Sequence, residues 1–243
     1  MDLTRIKLVA GTELRIAARD GEQLLLTLGL PLLFLVFFSQ VDVLPVSGAE
    51  PIDFITPGII VLALLSVAFV RPAISLGFDR SFGAIKRFAI TPLKVSEFLV
   101  AKLLATFVLF SIQLALIAAI GAALGWRPTV QIQTVMALAL GLIVFSSLAI
   151  TLSSVIDGLT SLAVANTLYI LLLLLSGLVF DLDRLPGTAA SLARLLPTTA
   201  LVELIRHQLT PETFADPGSG PWLVLGVWAI GSVVAANRLF RWE

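Results

Sequence analysis

The sequence has no cysteine, one histidine and one tyrosine. Without cysteine there is neither a disulfide framework nor a thiolate metal site. A lone His207 removes multi-histidine metal clusters and leaves histidine-based catalysis without a second ring. Charge is scarce as well: Asp, Glu, Lys and Arg make up 13% of 243 residues, and 16 basic side chains balance 16 acidic ones. Zero net charge speaks against polyanion binding, nucleic acid included, by the chain as a whole, so basic residues matter through where they sit. No glycine-rich phosphate loop ending in Lys-Ser or Lys-Thr occurs. ATP hydrolysis is therefore not expected of this chain, nor any cofactor bound by it. No repeat of fixed period is visible, which sets aside the duplicated architecture of many secondary transporters.

What the chain does have is apolar length. Hydrophobic residues make up 58% of it and the mean hydropathy is +1.03, far above an ordinary soluble domain. The expectation is an all-α integral membrane protein with six transmembrane helices in a single transmembrane domain, 1–243. Residues 1–20 place Leu3, Ile6, Ala10, Leu14 and Ala17 opposite Arg5, Arg15 and Arg19, the pattern of a helix lying in the membrane interface. Spans follow at about 24–41, 54–76, 98–124, 132–156, 159–180 and 222–236, each near the ~20 residues needed to cross the hydrocarbon. The first could be mistaken for a signal peptide ahead of Ser47-Gly48-Ala49, but it starts late, contains Pro31 and is long for a signal core.

Polar residues inside these spans are the candidates for a pathway. Arg71 interrupts the second span and either snorkels to the inner surface or lines a wet cavity. Asn166 in the fifth span needs a partner for its amide, a second helix before substrate. The hydroxyls of Ser146, Ser147, Thr151, Ser153 and Ser154 in the fourth can bond to their own preceding turn. Gly121 and Gly125 have the spacing of a small-residue packing pair.

Two segments between spans carry most of the remaining information. Residues 78–97 are basic and amphipathic, with Phe78, Phe82, Ile85 and Ala89 at helical spacing and Arg80, Lys86 and Arg87 elsewhere. Thr91-Pro92 then predicts an elbow, with Thr91 as N-cap and Pro92 as the first residue of the next helix. Contact with anionic lipid is the simplest use of such a loop. Residues 185–209 hold Pro186 and Pro197, each followed by helix-forming sequence too short to span, which predicts short re-entrant outer helices between spans five and six.

The order Asp79-Arg80, Gly83, Lys86-Arg87, Thr91-Pro92-Leu93, Glu97 and Lys102 resembles the cytoplasmic loop of type-2 ABC exporter permeases, the daunorubicin-resistance and polysaccharide-export class. Ser176-Gly177, Leu185-Pro186, Leu196-Pro197, Glu203 and Arg206 are similar to that family's outer segment in the same order, and Asp181 departs from the proline many members carry. A proline in the first span after an arginine such as Arg19 agrees with it. The resemblance implies that Asp79, Arg80, Phe82, Gly83, Lys86, Arg87, Thr91, Pro92 and Glu97 form a cytoplasmic coupling helix that docks on a separate ATPase subunit, which carries the ATP and Mg. It also implies that residues 185–209 act as an outer gate, with Ser176, Pro197, Glu203 and Arg206 beside the path.

Ten Lys and Arg residues fall in segments assigned to the inside and four in segments assigned to the outside, so both termini are expected in the cytoplasm of a bacterial plasma membrane. Six spans rarely enclose a large pathway alone, so a second copy or a related permease is expected as partner. The expected function is export of drugs or amphipathic, lipid-like substrates by alternating access. An ion-coupled secondary transporter of a small apolar solute is the runner-up, disfavoured because carboxylates cluster at loops rather than within spans. An intramembrane enzyme would need paired carboxylates or a Ser-His dyad, and none is visible.

Overall fold

The computed structural model describes residues 2–21, 25–40, 51–177, 187–212 and 214–240. Ten helices are used below. They are α1 (Leu3–Arg19), α2 (Leu30–Gln40, entered through a π-helical turn at Leu25–Gly29), α3 (Pro51–Ser81), α4 (Ala84–Ala89) and α5 (Val95–Ala123). They continue as α6 (Ile132–Val155), α7 (Gly158–Leu175), α8 (Gly187–Ala193), α9 (Pro197–Leu209) and α10 (Gly220–Leu239).

Five of these, α3, α5, α6, α7 and α10, are long and apolar enough to cross a membrane. The expected first span is shorter among the described residues, an apolar helix over Thr27–Gln40. α8 and α9 meet at a bend of 81°, so they do not form one straight crossing. Trp228 of α10 secures the bend, its Nε1–H donating to the Leu195 carbonyl at 2.9 Å. Leu185, Pro186 and Asp181 lie outside the described residues.

α3 is the central post. Nearly every side chain from Ile52 to Leu65 is buried, because α2 covers one side, α6 and α9 others, and α7 packs along its second half. Membrane helices gain no hydrophobic driving force by meeting one another in lipid, so close packing at small residues matters. Gly141 of α6 makes room for Leu201 and Leu64, and Gly77 of α3 lets Ser161 and Gly158 of α7 approach. The expected Gly121/Gly125 helix contact is not what those residues do. Gly121 faces the Trp126 ring of its own following turn, and Gly125 takes a left-handed φ of 99° to form that turn.

Two prolines shape the spans. Proline lacks an N–H and its ring collides with the carbonyl four residues earlier. Ahead of Pro72 the helix widens into a π turn at Ser66–Val70, where Arg71 N–H reaches back to Ser66 O. Ahead of Pro31 the turn at Leu25–Gly29 does the same, and the Thr27 carbonyl accepts instead from Gln113 Nε2 of α5 at 2.8 Å.

Candidate functional site

The two ends of the bundle differ in chemistry. One end gathers α4, the start of α5, the α6–α7 turn and the last residues of α10. Leu76, Ile85, Phe98, Ile150, Ala236 and Phe240 form its apolar centre, separate from the main core. Phe98 is stacked on Phe240 at 5.7 Å and tilted against Phe88 at 5.3 Å.

The segment 78–97 sits on this end and is broken once more than its periodicity suggests. Gly83 adopts φ 68°, a left-handed conformation that L side chains rarely take, and it separates α3 from α4. The expected single apolar stripe is thereby split. Ile85 is 1% exposed, whereas Phe82 is 77% exposed and stacks on Phe78 at 5.9 Å. Lys86, Arg87 and Lys94 are exposed, and Ile90 stands beside them at 88% exposure. The face is thus basic with two apolar residues at its rim.

The elbow is also built differently from the Thr91-Pro92 expectation. Thr91 Oγ1 donates to Phe88 O at 2.7 Å, which closes α4 rather than opening α5. The long helix begins at Val95, and Glu97 satisfies its first turn: Oε2 accepts from Lys94 N–H at 3.1 Å. Oε1 of the same carboxylate accepts from Asp2 N–H at 2.7 Å, and Arg5 Nη1 lies 3.9 Å from Oε2. Arg5 also donates to the Pro92 carbonyl. Glu97 is buried, so it ties the N-terminal helix to the elbow instead of presenting itself to a partner. Ser81 makes the second tie, accepting through Oγ from Gly158 N–H at 2.9 Å and donating to Gly77 O at 3.0 Å. In the α6–α7 turn, Asp157 caps α7 by accepting from Thr160 N–H at 2.9 Å. Its carboxyl is held below the usual range by the Thr160 side chain and backbone.

Next to the elbow, α1, the second half of α3 and α5 enclose a cavity of about 460 Å³. Arg71, Glu13, Asp20, Asp79 and Lys102 line it with Thr106. Lys102 is buried and bonded to Glu13 Oε1 at 2.7 Å; Asp79 Oδ2 is 3.8 Å away and the Phe98 ring 5.3 Å. Asp79 therefore faces this cavity, with Lys102, more than the basic surface.

At the far end Arg206 organises a smaller cavity of about 300 Å³. Its guanidinium lies 4.1 Å from the Phe54 ring and 5.9 Å from Phe214, and Nη1 donates to Gly177 O at 2.9 Å. Glu203 and Ser176 line the same space, the Ser176 hydroxyl bonding to Leu173 O at 3.1 Å. Pro197 is buried at the first turn of α9. His207 meets Phe214 O through Nδ1 at 2.8 Å. Asn166 does not join either group. It is exposed on the outer face of α7, and its amide donates to Leu162 O of its own helix at 3.0 Å rather than to a second helix. Thr151, Ser153 and Ser154 bond within their own helix as their spacing suggests.

Glu13, Asp20, Lys102, Gln113 and the Phe54–Phe214 pair were not singled out by periodicity. Pro31 and Pro72 were the available signals, since each frees backbone groups that a neighbouring side chain or a wider turn must accommodate.

Among the described residues no group of His, Asp and Glu could hold a metal ion. No curated protein is similar enough to match the chain. The family model for ABC-2 type transporters matches residues 4–209, from α1 through the end of α9. That match covers the elbow, the cavity at Arg71, the helix that carries Arg206 and all but the last span, and the helices carrying it are apolar enough for a membrane; the chain belongs to the ABC-2 type transporters and is a multi-pass membrane permease.

Proposed function

We propose that this permease is the membrane subunit of an ATP-driven exporter of drugs or amphipathic, lipid-like substrates, powered by a separate ATPase subunit that docks on residues 78–97. The observation that carries the reading is the exposed face of Lys86, Arg87 and Lys94 with Phe82 and Ile90, mounted on a second apolar cluster that joins four long helices. A rigidly mounted surface with charge and apolar anchors suits a protein partner better than lipid alone. The elbow end would face the cytoplasm, with both termini there, in a bacterial plasma membrane.

A single chain has too few spans to surround a large path, so two copies, or this chain with a related permease, would form it. Closure of paired ATPase subunits on ATP and Mg would push α4, and the far-end cavity around Glu203 and Arg206 would open in response. The test is co-purification with candidate ATPase subunits. Combined Gly83→Ala, Lys86→Ala and Arg87→Ala is expected to weaken the complex at least tenfold, about 1.4 kcal/mol, and to abolish ATP-dependent efflux. Unchanged affinity in that variant overturns the assignment of the docking surface.

A further inference from the structure

We propose that the cavity between α1, the second half of α3 and the start of α5 binds the headgroup of a zwitterionic phospholipid, one bearing a phosphate and a primary ammonium.

The first argument is the state of its two cations. Lys102 is fully engaged, bonded to Glu13, within 4 Å of Asp79 and over the Phe98 ring. The Arg71 guanidinium makes no hydrogen bond or ion pair among the described residues, although Glu13 and Asp20 are near enough to act on it electrostatically. A guanidinium about two helical turns inside a membrane span is costly unless its donors are met. Phosphate oxygens meet a guanidinium in a bidentate fork, which is the geometry that arginine is built for.

The second argument is the excess of carboxylates. Glu13, Asp20 and Asp79 stand against Arg71 and Lys102, so a ligand carrying only negative charge would be repelled. An ammonium held a few bonds from the phosphate reverses that sign, and the partly exposed Asp79 carboxylate in the cavity wall is an acceptor for its N–H donors. Neither half of such a headgroup would be satisfied without the other.

The third argument is position. α1 buries Ile6 and Ala10 against Ala101 and Ala105 of α5, and Ala17 is buried too, while Leu3, Leu8 and Ile16 stay exposed, as in a helix lying at headgroup depth. The cavity under it has apolar walls at Val67, Ile74 and Ala105 and exposed apolar residues at Ile16 and Phe82. Its volume falls in the ordinary range for small-molecule sites. A polar floor with apolar walls is the profile of an amphiphile at the point where headgroup becomes chain.

The site stands apart from the ATPase reading, because binding needs no partner subunit. The experiment is native mass spectrometry of the purified full chain titrated with phosphatidylethanolamine, phosphatidylglycerol, phosphatidylcholine or soluble glycerophosphoethanolamine. Wild type is expected to bind phosphatidylethanolamine about tenfold more tightly than either other lipid, and Arg71→Gln to lose that preference. Arg71→Lys should keep part of it, and Asp20→Asn should raise phosphatidylglycerol binding relative to phosphatidylethanolamine. The thermal midpoint of each variant without added lipid controls for folding. Equal phosphatidylethanolamine binding by wild type and Arg71→Gln overturns the site. Phosphatidylglycerol bound as well as phosphatidylethanolamine by wild type overturns the zwitterionic class. Glycerophosphoethanolamine competing at equal concentration overturns the lipid as its source.

Discussion

Gln113 donates its side-chain N–H to the main-chain carbonyl of Thr27 at 2.8 Å, across 86 positions of sequence. That carbonyl is the one which an ordinary residue at position 31 would bond, and Pro31 has no N–H to offer. A proline in one span and an amide in another are thus two halves of one arrangement. Gln113→Leu should destabilise the protein by about 1 kcal/mol, the low end for a buried acceptor left bare, because the unmet Gln113 Oε1 is lost along with it. In a Pro31→Ala background the helix can supply its own donor and the same substitution should cost less. A double-mutant cycle in detergent-solubilised protein, read by thermal unfolding, is expected to give a coupling of at least ~0.5 kcal/mol. Strict additivity would separate the two residues.

Glu97 holds two N–H groups that belong to distant parts of the chain, Asp2 and Lys94. Glu97→Ala should speed amide hydrogen exchange at both ends of this clasp together, by an amount equivalent to ~1–2 kcal/mol of local opening. Glu97→Gln keeps one carbonyl acceptor and should show less than half the effect. Exchange that rises at Lys94 and not near Asp2 would show that α1 is held by Arg5 and its bond to Pro92 instead.

Two glycines at the elbow end should fail for different reasons. A Cβ on Gly77 would lie 2.7 Å from Ser161 Cβ and 3.2 Å from Gly158 Cα, so Gly77→Ala must force α3 and α7 apart, a cost of ~1–3 kcal/mol. Gly83 has open space around it and φ 68°, so Gly83→Ala costs about 1 kcal/mol of backbone strain alone. Ser161→Gly is therefore expected to rescue the first variant and leave the second unchanged in thermal midpoint.

Asp157 gives a pH dependence of known sign. Its carboxyl titrates below the usual range when folded, because of the Thr160 hydroxyl and N–H. A depressed folded pKa contributes stability above the unfolded value of about 3.9, and that contribution fades as pH falls through the folded one. The difference in midpoint between wild type and Asp157→Ala should be constant from pH 7 to pH 5 and shrink below about pH 4. Asp157→Asn, still a neutral acceptor, should remove the pH dependence while keeping part of the cap.

The spans were legible because a lipid-crossing helix declares itself by uninterrupted apolar length, and α3, α5, α6, α7 and α10 all do. The elbow was legible as a break but misplaced. Pro92 invites a helix start by its fixed φ, yet Thr91 turns back to Phe88 and the carboxylate of Glu97 selects Val95 as the beginning. The deciding group is reinforced from Asp2, 95 positions away, which no local pattern displays. Arg71 was visible as a misplaced charge, but its cavity is made by α1 and α5, so its neighbours Glu13, Asp20 and Lys102 could not be read from its own helix. Asn166 was expected to face inward, yet a single amide carries no information about which side of α7 meets the bundle.

The packed rings of Phe88, Phe98 and Phe240 give the elbow end a mechanical character. A displacement of Ala84–Ala89 reaches the start of Val95–Ala123 and the end of Gly220–Leu239 through aromatic contact, and through Leu76 and Ile150 it reaches the two helices between them. Among the described residues, Leu30–Gln40 and Gly158–Leu175 contribute no side chain to that cluster. A push on Ala84–Ala89 therefore reaches four helices through one apolar cluster, while Gly158–Leu175 is engaged by a different route, the Ser81–Gly158 hydrogen bond and the close approach at Gly77.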